Sequence, residues 1–182
     1  MEQMLILVDQ TDTVVGYAPR GECHAGDGKL HRALALLLFN SQGNILLQRR
    51  RSLLWDGCWD ITGATHPLHY TQYDESYEDA SQRCLQSEWN IVSPVERVLS
   101  FVYFARLKEC CEHEYCVLLA GQYDGPARFN PAYAYDMRWV SLATCQREIR
   151  QNPSAYTPWA RIALEQLRAH PFSRLLMPQR QP

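Results

Sequence analysis

Short apolar runs separated by turn-forming clusters fill both halves of the chain. Residues 4–8 and 14–17 are apolar and flank Asp9-Gln10-Thr11-Asp12, a spacing that predicts a hairpin. A second hairpin is predicted from 31–39 and 45–48 around Asn40-Ser41-Gln42-Gly43-Asn44. Between the two hairpins, 18–29 reads as a loop with Pro19, Gly21, Gly26 and Gly28, and 49–60 reads as irregular. Residues 77–89 lack Gly and Pro and carry Ala80, Cys84 and Leu85 at helical spacing, which predicts a helix ending near Asn90. Strands are expected over 98–107, 114–122 and 138–142, and helices over 143–150 and 158–170. Pro158 suits the first turn of its helix, where a missing N–H costs nothing. The order predicts a mixed α/β sandwich and not a repeated βαβ wind, because no glycine-rich phosphate turn follows a strand.

Composition narrows the class. The 182 residues predict one domain over 1–172 and a short C-terminal tail over 173–182, frayed near Pro178 and Pro182. A hydrophobic share of 46% and a charged share of 21% belong to a globular chain. A net charge of −2 offers no general grip on nucleic acid or an anionic membrane. No apolar run approaches the roughly 18 residues that cross a bilayer, and the N-terminal apolar run is too short and too early in acid for a signal peptide. The seven cysteines are odd in number and lack paired Cys-x-x-Cys spacing, so free thiols in a reducing cytoplasm are expected.

Three features point to chemistry. His24 and His31 flank a loop and the start of a strand; His66 lies in the loop-like Thr62-Gly63-Ala64-Thr65-His66-Pro67. Glu112 and Glu114 stand two apart where a strand is expected to begin, so both carboxylates face one side. Three imidazoles and two carboxylates suit a divalent ion such as Mn²⁺, Fe²⁺ or Zn²⁺ with room for a sixth ligand. On spacing alone, surface or satisfied core histidines and a solvated strand end are the usual explanation of these residues.

A longer ordered set tips that balance. His24, Leu30-His31, Gln48-Arg49-Arg50, Gly57-x-Trp59, His66-Pro67, Glu78-Asp79-Ala80, Arg83, Glu88, Tyr103, Glu112-His113-Glu114 and Pro158-Trp159 together resemble type I isopentenyl diphosphate isomerase, a branch of the Nudix superfamily. The resemblance spans about residues 4–170. It implies a Nudix-type α/β/α sandwich with additional N-terminal strands and C-terminal helices. It also implies a divalent Mn, Zn or Fe ion on His24, His31, His66, Glu112 and Glu114, and a Mg²⁺ joining the substrate diphosphate to Glu88 with help from the Ala64 carbonyl. By the same resemblance, Glu114 with Tyr103 moves a proton to an alkene, and Trp159 offers its π face to the resulting cation. Arg20, Arg50 and Arg83 then face the diphosphate. The implied partner is a small prenyl diphosphate, for a monomer or weak dimer without nucleic acid or membrane. Plain core packing is the competing account of Trp159.

The chain also departs from that family. Ala64 stands where the family has a catalytic cysteine, and a methyl group neither gives nor takes a proton. Cys58 and Cys84 are the candidate substitutes. Arg83 is followed by Cys84 and not by a second arginine, and Ser52-Leu53-Leu54 lacks the family's lysine, with Arg51 as a possible compensation. Leu53-Leu54-Trp55 would make that wall more apolar, as a longer prenyl chain or a protonation-initiated cyclisation would favour. Two other functions compete: a Nudix diphosphate hydrolase using Glu75 and Glu88, and a non-catalytic prenyl diphosphate binder. The hydrolase box is eroded here, with both glycines gone and Glu88 alone left of its clustered glutamates.

Overall fold

The computed structural model describes residues 2–177. It opens with the expected antiparallel hairpin, β1 (Met4–Val8) and β2 (Val14–Pro19). The following stretch is not all loop, because Arg20–Cys23 forms one helical turn, α1, whose C-terminal end presents His24. β3 (His31–Phe39) and β4 (Asn44–Arg50) make the second hairpin but pair directly only at Phe39 and Ile45.

Beyond that pair the two strands splay, and a wedge of chain fills the gap. β5 (Trp59–Ile61) pairs with β4, and β6 (Gly63–Thr65) pairs with β3. Thr62, between them, is fully buried; its hydroxyl accepts from the Leu38 N–H at 2.8 Å and donates to the Leu46 carbonyl at 2.9 Å. The expectation that 49–60 is irregular holds for 51–58 and is corrected at its two ends, and within 62–67 the expected loop is a strand over Gly63–Thr65. Strands of three residues are too short to show a two-residue period, and their partners lie far away in sequence.

A small hairpin of β7 (His69–Tyr70) and β8 (Tyr73–Asp74) leads into α2 (Tyr77–Trp89). The Ser76 hydroxyl caps α2 by accepting from the Asp79 N–H, and Asn90 ends it in the left-handed region at φ 53°. β9 (Glu96–Leu107) and β10 (Cys110–Gln122) follow as an antiparallel pair. β10 then lies parallel to β3, with Glu114 opposite His31. Because β10 already begins at Cys110, Glu112 and Glu114 sit within the strand and not at its start. β11 (Ala134–Ser141) covers the other edge of β4, and α3 (Leu142–Gln151) and α4 (Pro158–Ala169) complete the main elements.

β3 is buried on both faces, which its Leu/Ala run anticipates for a central strand. Leu34, Leu36 and Leu38 face Ala80, Leu85 and Trp89 of α2, while Ala33, Ala35 and Leu37 face Trp159, Ala163 and Leu164 of α4. Helix, sheet and helix form the expected three layers. Residues 173–176, expected in the tail, instead lie in a 3₁₀ turn, Pro171–Leu176, that buries Leu176 in the α4-side core. Phe172 meets Phe39 edge to face at 5.5 Å in the same place. Residues 178–182 of the expected tail lie outside the described residues. Among the described residues, no helix is long and apolar enough to cross a membrane.

Candidate active site

The β3–β6 and β3–β10 pairings bring together residues that are far apart in the chain. His31 starts β3, Glu112 and Glu114 come from β10, His66 follows β6 and His24 ends α1. Each of the five offers one ligand atom, and these atoms all lie within 4.8 Å of one another. The imidazole centres stand 4.9 to 5.2 Å apart. Four of the five residues are buried, so the group is not a chance surface cluster.

Their hydrogen bonds leave the donor atoms facing inward. His24 Nδ1 lies 2.8 Å from the Arg20 carbonyl and His31 Nδ1 2.6 Å from that of Lys29. A carbonyl only accepts, so both Nδ1 atoms carry the proton and both Nε2 lone pairs point to the centre. The two Nε2 atoms and Glu112 Oε2 are buried without a hydrogen-bond partner. His24 Nε2 and Glu112 Oε2 stand 2.9 Å apart but out of hydrogen-bonding alignment. Orphaned donor atoms of this kind fit a divalent cation. Burial pushes His31 down to about 3 and His66 down as well, which keeps both imidazoles neutral and ready to ligate. Burial and the Glu114 charge raise Glu112, whereas Glu114 is held low, against burial, by His66 and His31.

Tyr103, opposite Glu114 across the β9–β10 ladder, donates its hydroxyl to Glu114 Oε2 at 2.5 Å. Burial and the neighbouring carboxylate push this phenol well above its ordinary value, so it stays protonated. Glu114, Glu112 and His66 form part of the wall of a cavity of about 240 Å³ that also takes in Arg20, Arg50, Ala64, Arg83, Glu88 and Trp159. Sequence reasoning thus named most of that wall.

The cations are less free than expected. Arg83 makes a two-armed contact with Glu75, both arms at 2.8 Å, and donates to the His66 carbonyl at 2.9 Å. Arg50 donates to Asp60 Oδ2 at 2.9 Å, while its Nε remains a buried donor without a partner. Glu88 accepts from Gln48 Nε2 at 2.9 Å and lies 3.3 Å from the Cys84 thiol; its burial raises its carboxyl above the ordinary range.

Of the two thiols expected as substitutes, Cys84 lines the cavity and Cys58 does not; Cys58 donates instead to the Ser154 carbonyl. Leu53 and Leu54 do not line the cavity either. Leu53 is 95% exposed, so the apolar wall expected from this segment does not form there. Sequence reasoning gave no role to Gln48, Asp60 or Cys116. Cys116 and Glu114 share one face of β10 at the two-residue period, a signal available from the sequence.

Comparison with known proteins decides the family. Residues 29–160 match the NUDIX domain. The isopentenyl-diphosphate Delta-isomerase of Serratia proteamaculans is 32% identical over 177 residues, covering 96% of each chain. Isopentenyl-diphosphate Delta-isomerase 2 of Aromatoleum aromaticum is 32% identical over 170 residues, 92% of this chain and 87% of that one. This chain belongs to the isopentenyl-diphosphate isomerase family of Nudix proteins. As a member it is an isomerase-like enzyme, and divalent-metal use in the family agrees with the inward-facing His/Glu cluster. Solved structures share the Nudix fold: one from Deinococcus radiodurans superposes with a TM-score of 0.71 at 19% identity, over 90% of this chain and 98% of that one. A MutT protein from Methanosarcina mazei superposes with a TM-score of 0.60 at 20% identity, over 76% and 93%.

Proposed function

We propose that this isomerase-family enzyme protonates the terminal alkene of a small prenyl diphosphate, using Glu114 and Tyr103, at a metal site made by His24, His31, His66, Glu112 and Glu114. The observation that carries this reading is the short Tyr103–Glu114 contact beside inward-facing, partnerless ligand atoms. The alkene electron pair takes the proton at its terminal carbon and leaves a tertiary cation. Loss of a proton from the adjacent methylene restores a double bond one carbon along. Trp159, whose ring centre is 6.4 Å from that of Tyr103, is suited to shield and stabilise the cation.

A divalent ion at the five-residue site supplies positive charge that orients the carboxylates and lowers their proton affinity. Mn²⁺, Zn²⁺ and Fe²⁺ all suit three imidazoles and two carboxylates. Mg²⁺ with the diphosphate suits Glu88, which Gln48 holds toward the cavity. Arg20 and Arg50 line the cavity as the candidate anion-binding cations; Arg83 acts mainly by holding Glu75 and the His66 backbone.

Ala64 offers no base for the second proton loss, and the thiol of Cys84 is engaged with Glu88. Water then takes the departing proton, and turnover is slow compared with an enzyme that places a base there. The cavity of about 240 Å³ is walled largely by charged and polar side chains, which suits the diphosphate end of a prenyl substrate. Hydrolysis is less well supported, because Glu75, its second carboxylate, is occupied by Arg83.

Incubation of the metal-loaded protein in D₂O with isopentenyl, dimethylallyl and longer prenyl diphosphates tests the reading by mass spectrometry. Carbon-bound deuterium in the isomer is expected. Phosphate release without carbon-bound deuterium would sink the proposal in favour of hydrolysis; binding without turnover would leave a prenyl diphosphate binder.

A further inference from the structure

Asp60, in the wedge strand β5, is fully buried and lies outside the metal cluster. A buried carboxylate carries a large desolvation cost unless several donors meet it. Here four do. Its Oδ1 accepts from the Trp159 indole Nε1–H at 2.8 Å, the Thr157 hydroxyl at 3.0 Å and the Ile61 N–H at 2.8 Å. Its Oδ2 accepts from Arg50 Nη1 at 2.9 Å. One side chain therefore holds an arginine and a tryptophan that both line the cavity.

The same two residues touch each other. The Arg50 guanidinium carbon lies 4.9 Å from the centre of the Trp159 ring. An unneutralised guanidinium at that distance would oppose a second positive charge near the indole, because both are attracted to the same π system and repel each other. Resting on the carbocation reading above, we infer that Asp60 is a positioning residue that cancels the Arg50 charge at Trp159. It thereby leaves the indole able to stabilise the substrate cation and holds Arg50 at the cavity wall. Asp60 does not itself touch the reacting atoms. Its carboxylate couples the two ends of the substrate, the anionic group and the hydrocarbon, through one buried ion pair.

The test compares Asp60→Asn, Arg50→Gln, the double variant and Thr157→Val, with deuterium incorporation giving kcat and KM. Asp60→Asn keeps an oxygen for Trp159 and Thr157 but removes the charge, and kcat should fall at least about tenfold. Adding Arg50→Gln to that variant removes the uncompensated cation, so kcat should recover several-fold while KM rises. Thr157→Val removes one hydrogen bond to the same oxygen and the N-cap of α4 without changing charge; it should lower the melting temperature while lowering kcat less than Asp60→Asn does. Should Asp60→Asn fail to fold, the comparison of Arg50→Gln with wild type decides: the inference requires that Arg50→Gln raise KM by a larger factor than it lowers kcat. A value for Asp60→Asn within twofold of wild type, a double variant no faster than Asp60→Asn, or a matching fall of kcat in Arg50→Gln would overturn the inference. Absence of carbon-bound deuterium in the wild-type protein would be a different failure, that of the carbocation reading itself.

Discussion

The Tyr103 hydroxyl and Glu114 Oε2 lie 2.5 Å apart, across directly paired positions of β9 and β10. His66 Nε2 lies 3.0 Å from the other oxygen of the same carboxylate. Both oxygens of Glu114 are thus engaged, one by a phenol and one by an imidazole, between the proposed metal site and the proposed proton path. Tyr103→Phe removes only the hydroxyl. It should lower deuterium incorporation by roughly 10²-fold or more while metal stoichiometry, measured by elemental analysis, stays unchanged. Wild-type rates in this variant would mean that the proton comes from elsewhere.

Ala64 lies on β6 opposite Ala35 and lines the cavity near the metal cluster. Ala64→Cys supplies a proton-transferring group at that wall. Simple isomerisation of isopentenyl diphosphate should rise by about 10²-fold, within the usual contribution of one acid or base. An unchanged rate with normal substrate binding would show that the missing thiol does not limit turnover.

The ligand atoms of His24, His31 and Glu112 have no hydrogen-bond partner inside the protein. Metal bound only by the folded chain stabilises it by about 2.7 kcal/mol at a free concentration of 100 Kd. For a protein of this length that corresponds to roughly 5–10 °C in Tm. Addition of a chelator should therefore lower the melting temperature measured by differential scanning calorimetry, and Zn²⁺ or Mn²⁺ should restore it. A melt indifferent to both would argue that the cluster binds no cation.

Away from the cavity, hydrogen bonds from Arg138 and Tyr156 hold the Glu148 carboxyl below its ordinary value of 4.5. The unfolded chain then binds this proton more readily than the folded one. The contribution is present above the ordinary value and disappears as pH falls through the lower folded value. Denaturant midpoints measured from about pH 6 down to about pH 3 should fall less steeply in Glu148→Gln than in the wild type. An identical pH slope in the two proteins would rule out this source of acid sensitivity. The effect is small because the pair is partly in water.

Much of this architecture was legible in local pattern. The two N-terminal hairpins, the helix from Tyr77 to Trp89 and the Pro158 helix follow from periodicity, caps and turn residues, all of which act over a few positions. The candidate ligand types and their order along the chain were also readable, and so was the alanine at position 64 where the resembled family has a cysteine. Tertiary structure alone decided what each charge can do. The splayed β3–β4 hairpin admits β5 and β6, which places Asp60 on Arg50 and Trp159 and brings His66 to Glu114. It also ties Arg83 to Glu75 and turns Leu53 into solvent. Hydrophobic period and capping are local and survive in sequence, whereas ion pairing depends on distances of a few ångströms between residues brought together only by the fold.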